Sequence, residues 1–407
     1  MNNLFNHFKS GENRAWLNST RMAATGGYFA SFIVFGLLTA ALGPTLPGMA
    51  KNTHSQLAQI SFIFTAQSLG YLGGSIFGGR LFDRFPGHPL LAGVLTGMAV
   101  LAFFIPITSA LWLLIGIFFV LGGMQGALEV GNNTLLVWLH KDAVGPYMNA
   151  LHFFFGLGAV LSPIIVVRSV AASGDFRWVY WGLALLALPI SAWLGRLPSP
   201  RDAEHHETSQ ADQSKPALVV LVAILLFLYV GAEVSYGGWV YTYVINSFVE
   251  IPAAEAALLT SAFWGAFTVG RLVSIPLAVR VKSSIVLMVD LMGCLVNLGL
   301  IILFQSSLAA LWMGNLGLGI FMAAFFPTTV TLAGQRMRIT GRVSGWLFVG
   351  AGAGGMILPW VIGQLIDPIG AGVVMGLILV DLLLALIVLT VFLNIASPAR
   401  QPQAVKV

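Results

Sequence analysis

Long apolar stretches separated by short polar segments run along the whole chain. Twelve of them are about 20 residues long or longer, the length that an α-helix needs to cross a hydrocarbon layer of about 30 Å. A stretch such as 218–230 lacks the alternation of apolar and polar residues that a membrane β-barrel strand requires. The pattern predicts an all-α membrane protein with spans near 25–46, 59–82, 89–107, 110–138, 147–170, 176–196, 217–245, 255–280, 283–304, 307–334, 342–366 and 371–395.

The longest polar segment between spans divides them into two groups of six. We therefore predict an N-terminal six-helix bundle at 1–196, a linker at 197–216 and a C-terminal six-helix bundle at 217–407. The motif Gly-Arg-Leu occurs in the second and the eighth span, and the motif Gly-x-Gly-x-x-x-x-Pro in the fifth and the eleventh. Matches at the same position in each group favour two parallel structural repeats.

Charge is scarce and is placed asymmetrically. Hydrophobic residues make up 57% of the chain and charged residues 9%, with a formal net charge of +5. Most Lys and Arg residues lie in segments on the side of the two termini, and only Lys51, Arg168 and Arg177 lie opposite. The positive-inside rule then predicts cytoplasmic termini in a plasma or bacterial inner membrane. Because the basic residues are spread over short loops, the charge does not indicate a nucleic-acid partner.

The segment after the second span reads GRLFDRFPGH, residues 79–88, and combines charges with helix-ending residues. Asp83 can pair with Arg80 or with a cation of the other bundle, which would give a contact that forms in one conformation and breaks in another. We predict a gating role for Arg80, Asp83 and Arg84. The alternative is a plain positive-inside turn.

Polar residues recur along one face of the fourth predicted helix and continue into the fifth. A carboxylate is costly at membrane depth unless it is paired, hydrated or protonated, so Glu129 marks a functional site or a structural ion pair. Carboxylate, amide and imidazole groups together suit sugar hydroxyls, which need donors and acceptors at once. The predicted substrate-binding residues of these two helices are Gln125, Glu129, Asn132, Asn133, Asn149 and His152.

The seventh and eighth predicted helices supply aromatic side chains and further charges. Aromatic rings can stack on the apolar faces of sugars, so Tyr236, Trp239 and Trp264 are predicted to bind substrate together with Glu233, although Trp239 also fits an interfacial aromatic belt. Arg271 stays charged, so its burial demands an anion, for which Glu129 and Glu233 are the candidates. Counted from the cytoplasmic helix ends, Glu129 and Arg271 lie at similar depth, and a salt bridge between these two residues would couple the bundles. The alternative is that Arg271 extends its charged end towards the membrane surface.

These motifs resemble known families. The segment 79–88 resembles the signature between the second and third helices of the major facilitator superfamily, although His88 stands where that family usually has Arg or Lys, which would weaken one latch contact. Four further stretches look like its sodium-dependent glucose transporter-like branch, namely 126–133, 148–163, 229–243 and 263–272. More distantly, Glu129 matches an acid of the fucose, galactose and glucose proton symporters.

The resemblance implies a hexose-like substrate, sodium or proton coupling and a monomeric protein. Unlike the fucose-type symporters, this chain has no acid in its first span, which leaves Glu129 and Glu233 as coupling candidates, or transport without coupling. We predict a sugar transporter that works by alternating access and is not an enzyme, with no cofactor other than a coupling Na⁺ or H⁺. The alternatives are a drug or lipid exporter of the same fold, driven by proton exchange, and a receptor or enzyme that uses the bundle as a scaffold.

Overall fold

The computed structural model describes residues 2–200, 216–248, 251–305, 307–337 and 341–395, with side chains from residue 20 onward except those of 142, 341 and 342. All twelve predicted spans are present as helices long and apolar enough to cross a membrane. They are α1 (Asn2–Asn52, with the span Thr20–Asn52), α2 (Leu57–Arg84), α3 (Gly87–Ile107), α4 (Leu111–His140), α5 (Val144–Ser173), α6 (Arg177–Gly195), α7 (Pro216–Ser247), α8 (Ala253–Arg280), α9 (Ser283–Leu303), α10 (Leu308–Arg336), α11 (Gly341–Ile369) and α12 (Val373–Ile395).

Successive helices alternate in direction, so α1 begins and α12 ends on one side of the bundle, here named the near side; the opposite side is the far side. On the outer surface large apolar side chains are exposed, such as Trp112 and Leu185, each with 72% of its surface accessible. A patch of that kind would be a liability in water but is expected against lipid tails. Within the described ranges every regular element is helical.

The helices form two six-helix halves, α1–α6 and α7–α12. In the N-terminal half α2 packs on α4 and α1 on α5; in the C-terminal half α8 packs on α10 and α7 on α11. Three pairings join the halves: α2 with α11, α5 with α8, and α1 with α7. The corresponding pairings in each half are those expected of a structural repeat.

Glycines set the closest helix contacts in both halves. A methyl group on Gly74 of α2 would collide with the Gly123 carbonyl of α4, and one on Gly354 of α11 would collide with the Phe227 carbonyl of α7. Between membrane helices such contacts replace the hydrophobic driving force with close van der Waals packing. The helices of these pairs are therefore held at short range, where short polar side chains can reach across.

Candidate functional site

Two hydrogen bonds join α2 and α4 near the middle of the bundle. Gln67 Nε2 donates to Gln125 Oε1 at 2.8 Å, and one turn further along both helices the Tyr71 hydroxyl donates to Glu129 Oε2. Gln125 Nε2 in turn donates to Thr39 Oγ1 of α1 at 3.4 Å. The carboxylate of Glu129 thus belongs to a polar row built by three helices of the N-terminal half.

The spacing of these residues and the glycines opposite them explain the pairing. Gln67 and Tyr71 lie one turn apart, as do Gln125 and Glu129, so each pair lies along one helix face. A methyl group on Gly126 would collide with the Tyr71 carbonyl, which shows how closely α4 approaches α2 here. The close approach lets the polar side chains of the two helices meet directly.

The C-terminal half contributes Glu233 from α7 and Arg271 from α8. Arg271 lies within electrostatic range of Glu233, of Glu129 across the boundary between the halves, and of His152 on α5. Tyr71 also lies within electrostatic range of Glu233. The structure therefore gathers Glu129, His152, Glu233 and Arg271 from four helices and both halves around one region.

The guanidinium of Arg271 is held loosely. Its Cζ lies 4.6 Å from the centre of the Phe267 ring, and its buried Nε has no hydrogen-bond partner. In the described part of the chain the one ion pair within 4.0 Å joins Arg177 to Asp175 on the far side, so Arg271 is near both acids without a direct salt bridge. The predicted bridge between the halves is not formed in this conformation.

Other unpaired polar atoms are available on the same helices. The indole Nε1 of Trp264 on α8 is buried and has no partner, and the amide oxygen of Asn133 on α4 is also without one. A buried donor or acceptor that lacks a partner loses free energy, so a ligand that completes these bonds would be stabilised. Two acids, one guanidinium, an imidazole, an indole donor and an amide acceptor suit a small molecule with several hydroxyl groups.

Two predicted binding residues lie in the packed interior instead. Trp239 and Tyr236 each have 0% of their surface accessible. Trp239 Nε1 donates to the Pro359 carbonyl at 3.0 Å, and the Tyr236 hydroxyl donates to Asn315 Oδ1 at 2.8 Å. Because α7 is surrounded by α1, α8, α11 and α12, a regular polar face on it does not correspond to an open surface. In this conformation both side chains have structural bonds, contrary to the expected exposure to substrate.

Asn132 and Asn149 also lie outside the cluster. Asn132 is fully buried, with its Oδ1 accepting a hydrogen bond from Ser31 of α1 at 3.1 Å and its Nδ2 bonded to the Leu128 carbonyl. It therefore joins α1 to α4. Asn149 is exposed near the near-side end of α5.

The predicted gating residues of the α2–α3 segment lie at the near-side end of α2. Arg80, Asp83 and Arg84 are exposed, and none of them is in an ion pair among the described residues. Arg80 lies over the Phe77 ring of its own helix, with Cζ 5.9 Å from the ring centre. Their proposed latch is open in this conformation.

His88 corrects the expectation of an exposed latch residue. It is buried in the first turn of α3, where Nε2 shares a hydrogen bond of 2.6 Å with the Tyr28 hydroxyl of α1 and Nδ1 lies 3.1 Å from the Leu197 carbonyl. Its backbone N–H donates to Ser199 Oγ. The imidazole thus fastens the end of the N-terminal half to α1 and α3.

The residues that sequence reasoning missed are Thr39, Gln67 and Tyr71. The spacing of Gln67 and Tyr71 by four residues was a signal for a polar face on the second span. On that span the polar residues are mixed with apolar ones, and only the register between α2 and α4 shows that Tyr71 bonds to Glu129.

Two six-helix halves related as repeats, with charged groups of both halves gathered at their boundary, are the arrangement of a membrane transporter. Residues 28–347 match the Major Facilitator Superfamily. The chain belongs to that superfamily.

Among three relatives in other organisms, two carry the name of a glucose transporter. Sodium-dependent glucose transporter 1 of Xenopus laevis is 32% identical over 356 residues, which cover 80% of this chain and 72% of that protein. Sodium-dependent glucose transporter 1A of Mus musculus is 29% identical, covering 83% and 88%. Major facilitator superfamily domain-containing protein 4A of Mus musculus is 25% identical, covering 84% and 86%.

Solved structures show the same fold. The structure of a variant of the nucleoside transporter NupG has a TM-score of 0.74 and 14% identity, covering 93% of this chain and 100% of that one. A bacterial homologue of the human lysosomal transporter Spinster, in an inward-facing and unoccupied conformation, has a TM-score of 0.66 and 13% identity, covering 94% and 95%.

Proposed function

We propose that this transporter carries a small, uncharged, hexose-like sugar by alternating access and that its transport is coupled to Na⁺ or H⁺. The observation that carries the proposal is the grouping of one acid from each half, Glu129 and Glu233, around Arg271. Two relatives are named as sodium-dependent glucose transporters, which supports the same substrate class.

The charges favour an uncharged solute. The region holds two carboxylates, those of Glu129 and Glu233, and the guanidinium of Arg271, so it carries at most one net negative charge. An anionic solute would be repelled by the two carboxylates. Sugar hydroxyls can donate to the carboxylates and accept from Arg271 and from the free Trp264 Nε1.

Arg271 links binding to the movement of the halves. In this conformation Glu129 is bonded to Tyr71 and has no ion pair within 4.0 Å with Arg271. Closing the near side would bring Arg271 of the C-terminal half towards Glu129. A sugar bound between Arg271 and Glu129 would bridge the halves. Binding of Na⁺ or H⁺ at Glu129 or Glu233 would change the electrostatic attraction between that acid and Arg271.

The distribution of Lys and Arg residues predicts the orientation of the transporter in its membrane. By the positive-inside rule the near side is proposed to face the cytoplasm of a plasma or inner membrane. The protein is proposed to work as a monomer with a small solute as its partner, and no nucleic acid or covalent chemistry enters the cycle.

Uptake into proteoliposomes tests the proposal. The purified chain is presented with labelled hexoses, pentoses and polyols while Na⁺ and pH gradients are imposed separately. We expect saturable accumulation of one hexose-like sugar that depends on one of the two gradients and is inhibited by excess unlabelled sugar. Transport of a lipophilic cation that drives proton exchange, with no sugar transport, would instead identify the exporter.

A further inference from the structure

The far side of the boundary between the halves is closed along α2 and α11. Both helices are irregular where they meet. Helix α2 is interrupted at Ser61, between the segments Leu57–Ile60 and Phe62–Arg84, and α11 contains Pro359. Irregularities of this kind leave backbone groups without their helical partners.

On α11 the missing group is the backbone N–H donor at Pro359. Because proline has no N–H, the Gly355 carbonyl four residues earlier lacks its helical donor. Ser68 Oγ of α2 donates to this carbonyl at 3.1 Å. One turn away on α2, Thr65 Oγ1 donates to the neighbouring Met356 carbonyl at 3.2 Å. Two hydroxyls of the N-terminal half thus bond to the backbone beside the proline of the C-terminal half.

On α2 the backbone groups at the interruption are in turn bonded by side chains of α11. The interruption at Ser61 removes the bond from the Phe62 amide to the Ala58 carbonyl. That carbonyl accepts from Ser61 Oγ of its own helix at 2.7 Å, and Gln364 Nε2 of α11 donates to the same carbonyl at 2.6 Å and to Ser61 Oγ at 3.1 Å. The Ala58 amide lies in the first helical turn, where no intrahelical acceptor exists, and it donates to Asp367 Oδ2 of α11 at 3.3 Å.

We propose that these bonds are the far-side gate, in which side chains of each half complete backbone hydrogen bonds that the helix of the other half leaves open. The inference rests on the proposed alternating access. When the halves part, the freed carbonyls and amide meet water in the opened vestibule, so no buried polar group is left unpaired. The gate can therefore close firmly and still open without a large barrier.

The arrangement also gives the repeated Gly-x-Gly-x-x-x-x-Pro motif of the eleventh span a function. Gly354 lets α11 pack against the backbone of α7, while Pro359 releases the carbonyl that Ser68 takes. In the fifth span Ser162 next to the matching Pro163 bonds to the Leu37 carbonyl of α1, within its own half. The proline of α11 thus contributes to the contact between the halves.

Distances between spin labels across the far side test the gate. Labels are attached at Lys51→Cys and Ile369→Cys, both exposed at far-side helix ends, in a chain whose only cysteine is removed as Cys294→Ala. Ser68→Ala and Gln364→Glu each remove a donor to the other half. Each is expected to raise the ratio of far-side-open to far-side-closed molecules in lipid nanodiscs about five-fold.

Matched variants separate the gate from general loss of structure. Thr390→Ala removes a hydroxyl that bonds to the Leu386 carbonyl of its own exposed helix and should leave the ratio unchanged. Ser68→Thr keeps the hydroxyl and should restore the ratio of the parent chain. If Ser68→Ala does not fold, Gln364→Glu carries the test.

An unchanged distance distribution in folded Gln364→Glu and Ser68→Ala would overturn the gate. The measurement needs no transported solute. A chain that moves no sugar but shows the shift would support the gate and contradict the proposed function; sugar uptake without the shift would do the reverse.

Discussion

The two halves share one packing scheme but hold their charged groups differently. In the N-terminal half Glu129 is bonded to Tyr71 across the glycine-lined contact of α2 and α4. In the C-terminal half Arg271 of α8, the counterpart of α2, lies over the Phe267 ring with its Nε unpaired. The comparison indicates a fixed acid in one half and a cation in the other that is free to change partners.

Removing the cation should have the greatest consequence. Arg271→Gln leaves Glu129 and Glu233 without a nearby positive charge in a region of low polarity, and we expect initial sugar uptake to fall about 100-fold. Arg271→Lys keeps the charge but loses the planar donor pattern, so partial activity is expected. Arg280→Gln, at the exposed end of the same helix, is the control. Wild-type uptake by Arg271→Gln would remove Arg271 from the mechanism.

The shared packing can be tested with neighbouring glycines. Gly74→Ala places a methyl group against the Gly123 carbonyl and should destabilise the protein by about 1–3 kcal/mol. Gly73→Ala meets no atom within 4 Å and should be neutral or stabilising, because alanine favours helix more than glycine does. Thermal unfolding of the two variants in detergent compares them directly. Equal stability would show that the α2–α4 contact is not tight.

The same comparison in the C-terminal half uses Gly354→Ala, which collides with the Phe227 carbonyl, and Gly352→Ala, which has only ordinary contacts with Leu72. If the repeats share their packing, the first of these should lower the unfolding temperature and the second should not.

The fixed position of Glu129 depends on Tyr71. Tyr71→Phe removes the donor to the carboxylate, and we expect the KM for sugar to rise about ten-fold with a smaller change in maximal rate, because a hydrogen bond to a charged group is lost. Tyr147→Phe, on α5 beside His140, is the matched control. An unchanged KM in Tyr71→Phe would mean that Glu129 is positioned by other groups.

The smallest effect is expected at Tyr236. Tyr236→Phe loses the bond to Asn315 and should lower the free energy of unfolding by about 1 kcal/mol while KM stays the same. A raised KM with unchanged stability would instead show that Tyr236 contacts the substrate, as the sequence predicts.

The positions of the helices were predictable because lipid requires long apolar runs. All twelve spans were found, although α1 continues past the predicted end at residue 46 to Asn52, through Pro44 and Pro47. Glu129 was also a predicted partner of Arg271, and in the structure the two residues lie within electrostatic range of each other.

The partners of side chains could not be predicted, because they depend on the register and rotation of one helix against another. Tyr236 was predicted to bind substrate, but its side chain is fully buried and bonded to Asn315 in the packed interior. His88 looked like a loop residue, yet it begins α3 and bonds to Tyr28. The link from Tyr71 to Glu129 appears only when α2 and α4 are placed together.

The role of Glu129 in coupling is tested most directly by Glu129→Gln in concentrative uptake and in sugar counterflow, with Glu255→Gln at the far-side start of α8 as the control. We expect Glu129→Gln to lose accumulation against a gradient while the control retains it, because the amide cannot carry the charge that couples the ion to Arg271. Full concentrative uptake by Glu129→Gln would contradict the coupling role of Glu129.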